Sequence, residues 1–181
     1  MGCRPGDIVW DGCGDDRVGS RAPELRDVVI PKGFWMQESE VTEQAYRRVT
    51  GENRSNFTGS NLPADRVAWF EAKKYCELVG LRLPTEEEWE YAARGGTMGA
   101  LYGELDGIAW YEGNSGGKRH AVKGKKPNAH GLYDMFGNVR EWTWIKRLRG
   151  GSWRDDPRRI SSTGRLAKTR YDSNGFRCLG D

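Results

Sequence analysis

The sequence predicts a single α+β domain over residues 1–181, with helices in its first half and short strands joined by long loops in its second half. The length is that of one domain. Helical periodicity and capping signals occur between residues 42 and 96 and are missing after that. The 25 glycines indicate many tight turns, and eight tryptophans and seven tyrosines provide large rings for a core. Helices followed by strands are typical of the α+β class.

Composition excludes some classes of partner. The formal net charge of +3 is too small to indicate nucleic-acid binding by itself. No apolar run approaches the ~20 residues that a membrane-spanning helix needs, and residues 1–7 lack the apolar core of a signal peptide. The sequence therefore predicts no membrane span and no nucleic-acid partner, and it leaves the virion surface and the cytoplasm open as locations.

Two short strands and a capped helix are predicted in the first third of the chain. Residues 27–30 and 33–38 have the composition of strands. Thr42 follows them, and its side chain is suited to accept a hydrogen bond at the start of a helix whose first turn carries acids and amides. Gly51 is suited to end that helix, because glycine adopts the left-handed conformation of a C-cap without strain.

Two further helices follow. The first is predicted over residues 67–79, because its apolar residues recur at spacings of three and four, and Gly80 ends it. The next begins at Thr85, which forms a capping box with Glu88, and ends at Gly95. The apolar positions of the 67–79 helix are Trp69, Ala72, Cys76 and Val79.

A polar C-terminal segment raises the functional question. Residues 149–178 scatter Arg and Lys among Asp, Ser, Thr and Tyr, and glycine-rich motifs bracket the segment at both ends. Such a segment is an active site, a ligand-binding surface or a solvated loop. Asp155 and Asp156 beside Arg158 and Arg159 have the chemistry of an acid–base site, but alternating charges between glycines are more often a solvated surface.

Four motifs, in this order along the chain, carry a family resemblance. They are EVTEQAY at 40–46, LRLPTEEEWEYAARGG at 81–96, GLYDMFGNVREW at 131–142, and RGGSW at 149–153 with GFRC at 175–178. Together they resemble the formylglycine-generating enzyme (sulfatase-modifying factor) family over roughly residues 28–180. The resemblance implies a variant of the C-type lectin-like fold, with short strands, two to three helices and much irregular loop.

The resemblance leaves several activities open. The family includes copper-dependent oxidases that convert a cysteine to formylglycine, and sulfoxide synthases that need an additional iron domain with histidine ligands. It also includes binding proteins, among them the variable proteins of diversity-generating retroelements. In those variable proteins, a fixed scaffold displays hypervariable side chains near the C-terminus.

The metal-dependent oxidase is the disfavoured alternative. The oxidases use two cysteines shortly after the GGSW-type motif, and thiolates are the ligands that copper(I) selects. By the resemblance, those two positions fall on Asp155 and Ile160, and neither residue supplies a thiolate. The sequence therefore predicts no copper, no catalytic residues and a protein that is not an enzyme.

The favoured interpretation is a non-catalytic protein that binds a protein or cell-surface ligand. Trp153 and Phe176 belong to a buried frame, and the polar residues between them are displayed for contact, as Arg, Tyr, Ser and Asn often are in binding surfaces. The short connection at residues 143–148 resembles compact phage, viral and bacterial binding members. We expect residues 144–174 to be diversified if a retroelement is present. The predicted ligand-binding residues are Trp144, Lys146, Arg154, Asp155, Arg158, Arg159, Ser161, Thr163, Lys168 and Tyr171.

The resemblance also implies one structural calcium ion at most. Its ligands would be the carboxylates of Asp134 and Glu141 and the backbone carbonyls of Gly137 and Val139, because calcium prefers hard oxygen ligands. The alternative is that the two carboxylates only cap turns.

The resemblance also has an implication for the cysteines of this chain. Family members often join the positions of Cys76 and Cys178 in a disulfide, so the resemblance predicts that these two side chains are neighbours. Whether they are bonded depends on the redox state of the compartment. A local bridge between Cys3 and Cys13 stays open.

Overall fold

The computed structural model describes residues 8–10, 27–52, 59–162 and 171–181, with only the backbone described for 8–10, 27 and 171. The predicted α+β class and the order of helices before most strands are confirmed. The elements are β1 Ile8–Trp10, β2 Asp27–Val29, β3 Trp35–Met36, α1 Glu43–Thr50, α2 Trp69–Leu78, α3 Glu86–Arg94, α4 Leu105–Ile108, β4 Ala109–Trp110, β5 Phe136–Gly137, β6 Arg140–Trp142, β7 Leu148–Arg149, β8 Asn174–Gly175 and β9 Leu179–Gly180, with 3-10 turns at Pro157–Arg159 and Tyr171–Ser173.

The helix ends follow the predicted caps with one shift. Thr42 accepts a hydrogen bond from the amide of Ala45 at 3.2 Å, and Gly51 ends α1 with a φ of 76°. α2 begins two residues later than predicted, at Trp69. The amide of Val67 donates instead to the carbonyl of Asn174 at 3.1 Å, so this part of the chain serves the C-terminal sheet rather than a first helical turn. The four-residue helix α4 was not predicted.

A three-stranded sheet with the order β7-β6-β8 lies next to the polar C-terminal segment. β6 runs antiparallel to β7 and parallel to β8, so Glu141 is paired with both Arg149 and Gly175. Two-stranded pairs complete the framework: β1 with β2, β3 with β9, and β4 with β5. Because β3 pairs with β9, the last strand lies beside a strand that precedes the first helix.

Two groups of aromatic side chains form the core. In one, Trp89 of α3 packs edge-on against Phe136, with ring centres 6.5 Å apart. In the other, Tyr46 and Tyr75 stack at 5.6 Å and Phe176 meets Tyr75 edge-on at 5.2 Å. Phe176 is fully buried, as the frame prediction requires.

A disulfide joins Cys76 of α2 to Cys178 across a sequence separation of 102 residues. Both residues are fully buried. The prediction that they are neighbours is confirmed, and the bond ties the helical half of the chain to its C-terminal end. Cys3 and Cys13 lie outside the described residues.

Among the described residues, no helix is both long enough and apolar enough to cross a membrane.

Candidate ligand-binding surface

Two glycines let the chain turn tightly before the polar segment. Gly150 and Gly151 have φ values of 85° and 80°, which side chains rarely adopt. A Cβ on Gly150 would lie 2.8 Å from the carbonyl oxygen of Met135 and 3.1 Å from the Trp89 ring. Glycine is therefore required there, because the backbone passes directly over the core.

Trp153 anchors the start of the polar segment. Its side chain is 4 % exposed, and its amide donates to the carbonyl of Asn138 at 2.9 Å. Its carbonyl accepts a hydrogen bond from the hydroxyl of Ser115 at 2.7 Å. The next residues are thereby held in a fixed position, and the frame role predicted for Trp153 agrees with this burial.

Three of the predicted ligand-binding residues present exposed guanidinium groups. Arg154 lies over the Trp153 ring, 4.4 Å from its centre, and is paired with Asp172. Arg158 is paired with Asp156, to which its Nε donates at 2.7 Å. Arg159 is exposed at the end of the same 3-10 turn. Guanidinium groups on a fixed backbone are suited to fork-like hydrogen bonding with carboxylates.

Asp155 does not belong to this exposed set, so its prediction as a surface contact is wrong. It is 5 % exposed, and its carboxylate accepts hydrogen bonds from Arg140 at 2.5 and 3.0 Å and from the Ser152 hydroxyl at 2.9 Å. Arg140 also donates to the hydroxyl of Ser173 at 3.1 Å. Asp155 therefore helps to fasten the polar segment to β6 and to the chain beside β8. Ile160, the second position of the oxidase cysteines, is buried as well.

Trp144 and Lys146 contact a different part of the protein. They lie on the turn between β6 and β7, where the Lys146 ammonium is 4.6 Å from the centre of the Trp69 ring. Lys73 of α2 lies over the Trp144 ring at 5.4 Å. These two residues are thus associated with α2, whereas Arg154 contacts Trp153 and Asp172.

The remaining predicted residues are only partly described. Ser161 is half-buried. Thr163 and Lys168 lie outside the described residues, and Tyr171 is described only by its backbone in the turn Tyr171–Ser173.

Buried polar atoms without hydrogen-bond partners occur beside Arg154. Within the described parts of the chain, they include the indole Nε1 of Trp153 and one carboxylate oxygen of Asp172. The side-chain oxygen of Asn174, two residues after Asp172, is a third. Such atoms are normally satisfied by water or by a bound group. Among the described residues, this buried group comprises one donor and two acceptors.

A family model described as "Sulfatase-modifying factor enzyme 1-like domain" matches residues 5–181. The chain belongs to this family. Its members therefore supply the comparison for both the polar segment and the calcium ligands.

Curated relatives include proteins named as inactive. "Inactive C-alpha-formylglycine-generating enzyme 2" of Mus musculus is 32 % identical over 87 % of this chain and 61 % of its own length, and the Bos taurus protein of that name is 34 % identical over 94 % and 65 %. "Formylglycine-generating enzyme" of Streptomyces coelicolor is 42 % identical over 54 % of this chain and 36 % of its own length. The chain thus spans less than two thirds of these relatives. The inactive names agree with the prediction that it is not an enzyme.

Solved structures establish the fold. "Treponema denticola variable protein 1" has a TM-score of 0.85 and 26 % identity, covering 99 % of this chain and 93 % of that one. PvdO from Pseudomonas aeruginosa has a TM-score of 0.83 and 25 % identity, covering 98 % and 92 %. "Major Tropism Determinant P3c Variant", at 16 % identity and a TM-score of 0.55 over 82 % and 50 %, shows a likeness of fold alone. The predicted C-type lectin-like fold of the sulfatase-modifying type is confirmed.

One of the calcium ligands expected from the resemblance contacts a buried arginine. Glu141 accepts hydrogen bonds from Nε and Nη2 of Arg177, at 2.8 and 2.7 Å, and from Nε1 of Trp89 at 2.7 Å. Arg177 is fully buried and supplies the positive charge beside Glu141. Asp134 accepts from the amide of Lys123 at 2.5 Å. The hydrogen bonds from Arg177 leave Glu141 poorly suited to bind calcium. Calcium binding by Asp134, Gly137, Val139 and Glu141 is an expectation from the resemblance, and chelation tests it.

Burial dominates the electrostatics of the same cluster. It raises the pKa of Asp134 to about 6, and hydrogen bonding from the amide of Lys123 and the charge of Arg177 oppose that rise. Burial, followed by the neighbouring Asp134 and Glu141, raises the pKa of Glu40 well above its usual value. Glu40 also accepts a hydrogen bond from the amide of Val139 at 3.0 Å. Arg177 hydrogen-bonds Glu141, and its positive charge also opposes the rise in the pKa of Glu40 and of Asp134.

Sequence reasoning missed four residues near Arg154. The sequence gives no signal that Arg140 pairs with Asp155, because the two residues are 15 positions apart. No sequence signal pointed to the residues of β8 and the preceding turn, because the contacts of that turn with Arg154 and Arg140 join residues 18 and 33 positions apart. The missed residues are Arg140, Asp172, Ser173 and Asn174.

Proposed function

We propose that the chain is a non-catalytic ligand-binding protein of the sulfatase-modifying factor family, which displays a replaceable C-terminal surface as retroelement variable proteins do. One observation carries the proposal. At the position where the resemblance places an oxidase cysteine, this chain has Asp155, whose carboxylate is buried and held by Arg140 and Ser152. That carboxylate holds the backbone in position, and the neighbouring side chains of Arg154, Arg158 and Arg159 stay exposed to contact a ligand.

The exposed part of the surface is suited to a protein ligand. Arg154, Arg158 and Arg159 project from a backbone fixed by Trp153 and by the Pro157–Arg159 turn. Arginine and aromatic residues make large energetic contributions at protein interfaces. A protein or cell-surface ligand is therefore the partner we propose.

The likeness to Treponema denticola variable protein 1 supports the proposal that residues 144–174 are diversified, because the likeness extends over nearly the whole of both chains. If residues 144–174 are diversified, the surrounding DNA should contain a near-copy of their codons beside a reverse transcriptase gene. The copies should differ mainly at adenines. A gene neighbourhood without that arrangement would remove the retroelement from the proposal and leave simple ligand binding.

Selection from a library tests ligand binding with a chosen target in place of the natural ligand. Positions 154, 158, 159 and 161 are randomised in the full chain, and the library is selected against hen lysozyme as a defined protein target. A matched library randomises the buried positions 140, 152, 155 and 173. We expect folded binders from the first library and largely unfolded protein from the second. If neither library yields folded binders, the surface is not replaceable and the proposal is wrong.

Copper and turnover separate this function from the disfavoured oxidase. The purified chain is titrated with copper(I) and then incubated with a cysteine-containing peptide and oxygen. We expect no tight thiolate-coupled binding and no formylglycine. Stoichiometric tight binding with peptide turnover would assign the chain to the oxidases instead.

A further inference from the structure

Many of the exposed apolar side chains belong to one helix and to the turn that packs against it. Eight large hydrophobic side chains are exposed among the described residues, and five of them belong to α2, its C-terminal cap and the turn between β6 and β7. We call this the α2–turn face. Its exposed apolar residues are Phe70 at 66 %, Leu78 at 58 %, Val79 at 38 %, Trp144 at 45 % and Ile145 at 54 %.

The helix and the turn form one continuous surface. Nε1 of Trp69 donates to the carbonyl oxygen of Thr143 at 2.9 Å. Lys73 lies over the Trp144 ring, and Lys146 lies over the Trp69 ring. Each element therefore places a lysine against an aromatic ring of the other, and the two cannot shift independently without losing these contacts.

The turn holds its apolar residues in a fixed position. The amide of Thr143 donates to the carbonyl of Arg147 at 2.9 Å, and the amide of Lys146 donates back to Thr143 at 3.1 Å. The amide of Trp144 donates to the carbonyl of Pro84 at 2.8 Å. Turns of this kind usually carry Gly, Asn, Asp or Ser. This tightly bonded turn instead exposes the large apolar side chains of Trp144 and Ile145.

Unpaired lysines surround the apolar residues. Lys73 is paired with Glu77, and Arg147 is paired with the buried Glu86. Lys74 and Lys146, by contrast, have no carboxylate partner among the residues that the structure describes. The face thus combines exposed aromatic and aliphatic side chains with two lysines that have no carboxylate partner among the described residues.

We propose that the α2–turn face docks on the surface of an anionic lipid bilayer. Trp144 and Ile145 enter the boundary between headgroups and acyl chains, where tryptophan is favoured. Lys74 and Lys146 remain at the level of the lipid phosphates, because basic residues beside a membrane surface are attracted to anionic lipids. A second copy of the chain is a poorer occupant, since its lysines would face these lysines. The proposal does not rest on the function proposed above.

Vesicle cosedimentation of the full chain tests the proposal. The vesicles are phosphatidylcholine alone or phosphatidylcholine with phosphatidylserine, at low and high salt. We expect binding to the phosphatidylserine vesicles at low salt, and loss of that binding at high salt because salt screens exposed charges. Binding that is absent from anionic vesicles, or equal on both kinds of vesicle, would overturn the proposal.

Matched variants assign the binding to this face. Lys74→Gln with Lys146→Gln should weaken vesicle binding on the order of tenfold or more, since each basic residue near the surface contributes to the attraction. The control removes two charges from α1 by Arg47→Gln with Arg48→Gln and should bind as the wild type does. An equal loss in both double variants would show that overall charge, and not this face, attracts the vesicles.

Apolar variants and solution size complete the test. Trp144→Ser with Ile145→Ser should reduce binding strongly, and Phe70→Ser with Leu78→Ser provides a second apolar pair should the first unfold. Circular-dichroism melting confirms that each variant is folded. A concentration-dependent dimer that these variants abolish, or binding to poly-glutamate in place of vesicles, would assign the face to a protein partner and overturn the bilayer proposal.

Discussion

Removing the buried carboxylate of Asp155 should destabilise the protein far more than removing an exposed charge of the same polar segment. The side chains of Asp155 and Arg140 are 5 % and 7 % exposed, and Asp155 accepts two hydrogen bonds from Arg140 and one from Ser152. Asp155→Ala leaves the guanidinium buried without its carboxylate. Breaking a buried pair from one side costs about 3–5 kcal/mol. For a domain of this size, that loss corresponds to a fall in Tm of roughly 6–20 °C.

The assay is thermal and urea unfolding of the variant beside two controls. Asp156→Ala removes the neighbouring carboxylate, which is paired with the exposed Arg158, and should change Tm little. Arg140→Met with Asp155→Leu removes both charges and should be less harmful than Asp155→Ala, because no buried charge is left unpaired. A Tm for Asp155→Ala equal to that of Asp156→Ala would refute the structural role of the pair.

Three further predictions concern the frame, the disulfide and the calcium ligands. Trp153→Ala should cost on the order of 3–5 kcal/mol in urea unfolding, because it empties a large buried volume; a loss below about 1 kcal/mol would show that Trp153 is not part of the frame. Replacing both Cys76 and Cys178 by alanine should lower the free energy of unfolding by about 4–5 kcal/mol, since the bond closes a loop of about 100 residues; an unchanged urea midpoint would contradict that. Chelation with EDTA should leave Tm unchanged, because Arg177 neutralises Glu141. A fall in Tm that added calcium restores would show instead that the calcium prediction is right.

Local signals predicted the helix ends well. Thr42 and Thr85 both accept the hydrogen bonds expected of N-caps, and Gly51 adopts the left-handed conformation of a C-cap. Each signal depends on residues within one turn of the chain, so it can be recognised without knowing the fold. The start of α2 was misplaced because Val67 bonds to Asn174, which is more than 100 positions away.

The candidate site shows the same limit. Asp155 and Asp156 are adjacent carboxylates in the same polar motif, yet one is buried and the other is partly exposed. What distinguishes them is Arg140, which strand pairing brings close to Asp155. The exposed positions Arg154, Arg158 and Arg159 were predicted from residue type, because charged side chains without a buried partner remain in water. Trp144 was assigned to the same surface as Arg154, whereas its contacts lie on α2.

The division between a structural frame and a replaceable surface can be measured in one unfolding experiment. The variant combines Arg154→Ala, Arg158→Ala and Arg159→Ala, and its Tm is compared with those of the wild type and of Trp153→Ala. Because the three guanidinium groups are exposed, we predict a fall in Tm of less than about 6 °C. A fall as large as that of Trp153→Ala would show that these arginines build the fold, and the displayed surface proposed for this chain would then be wrong.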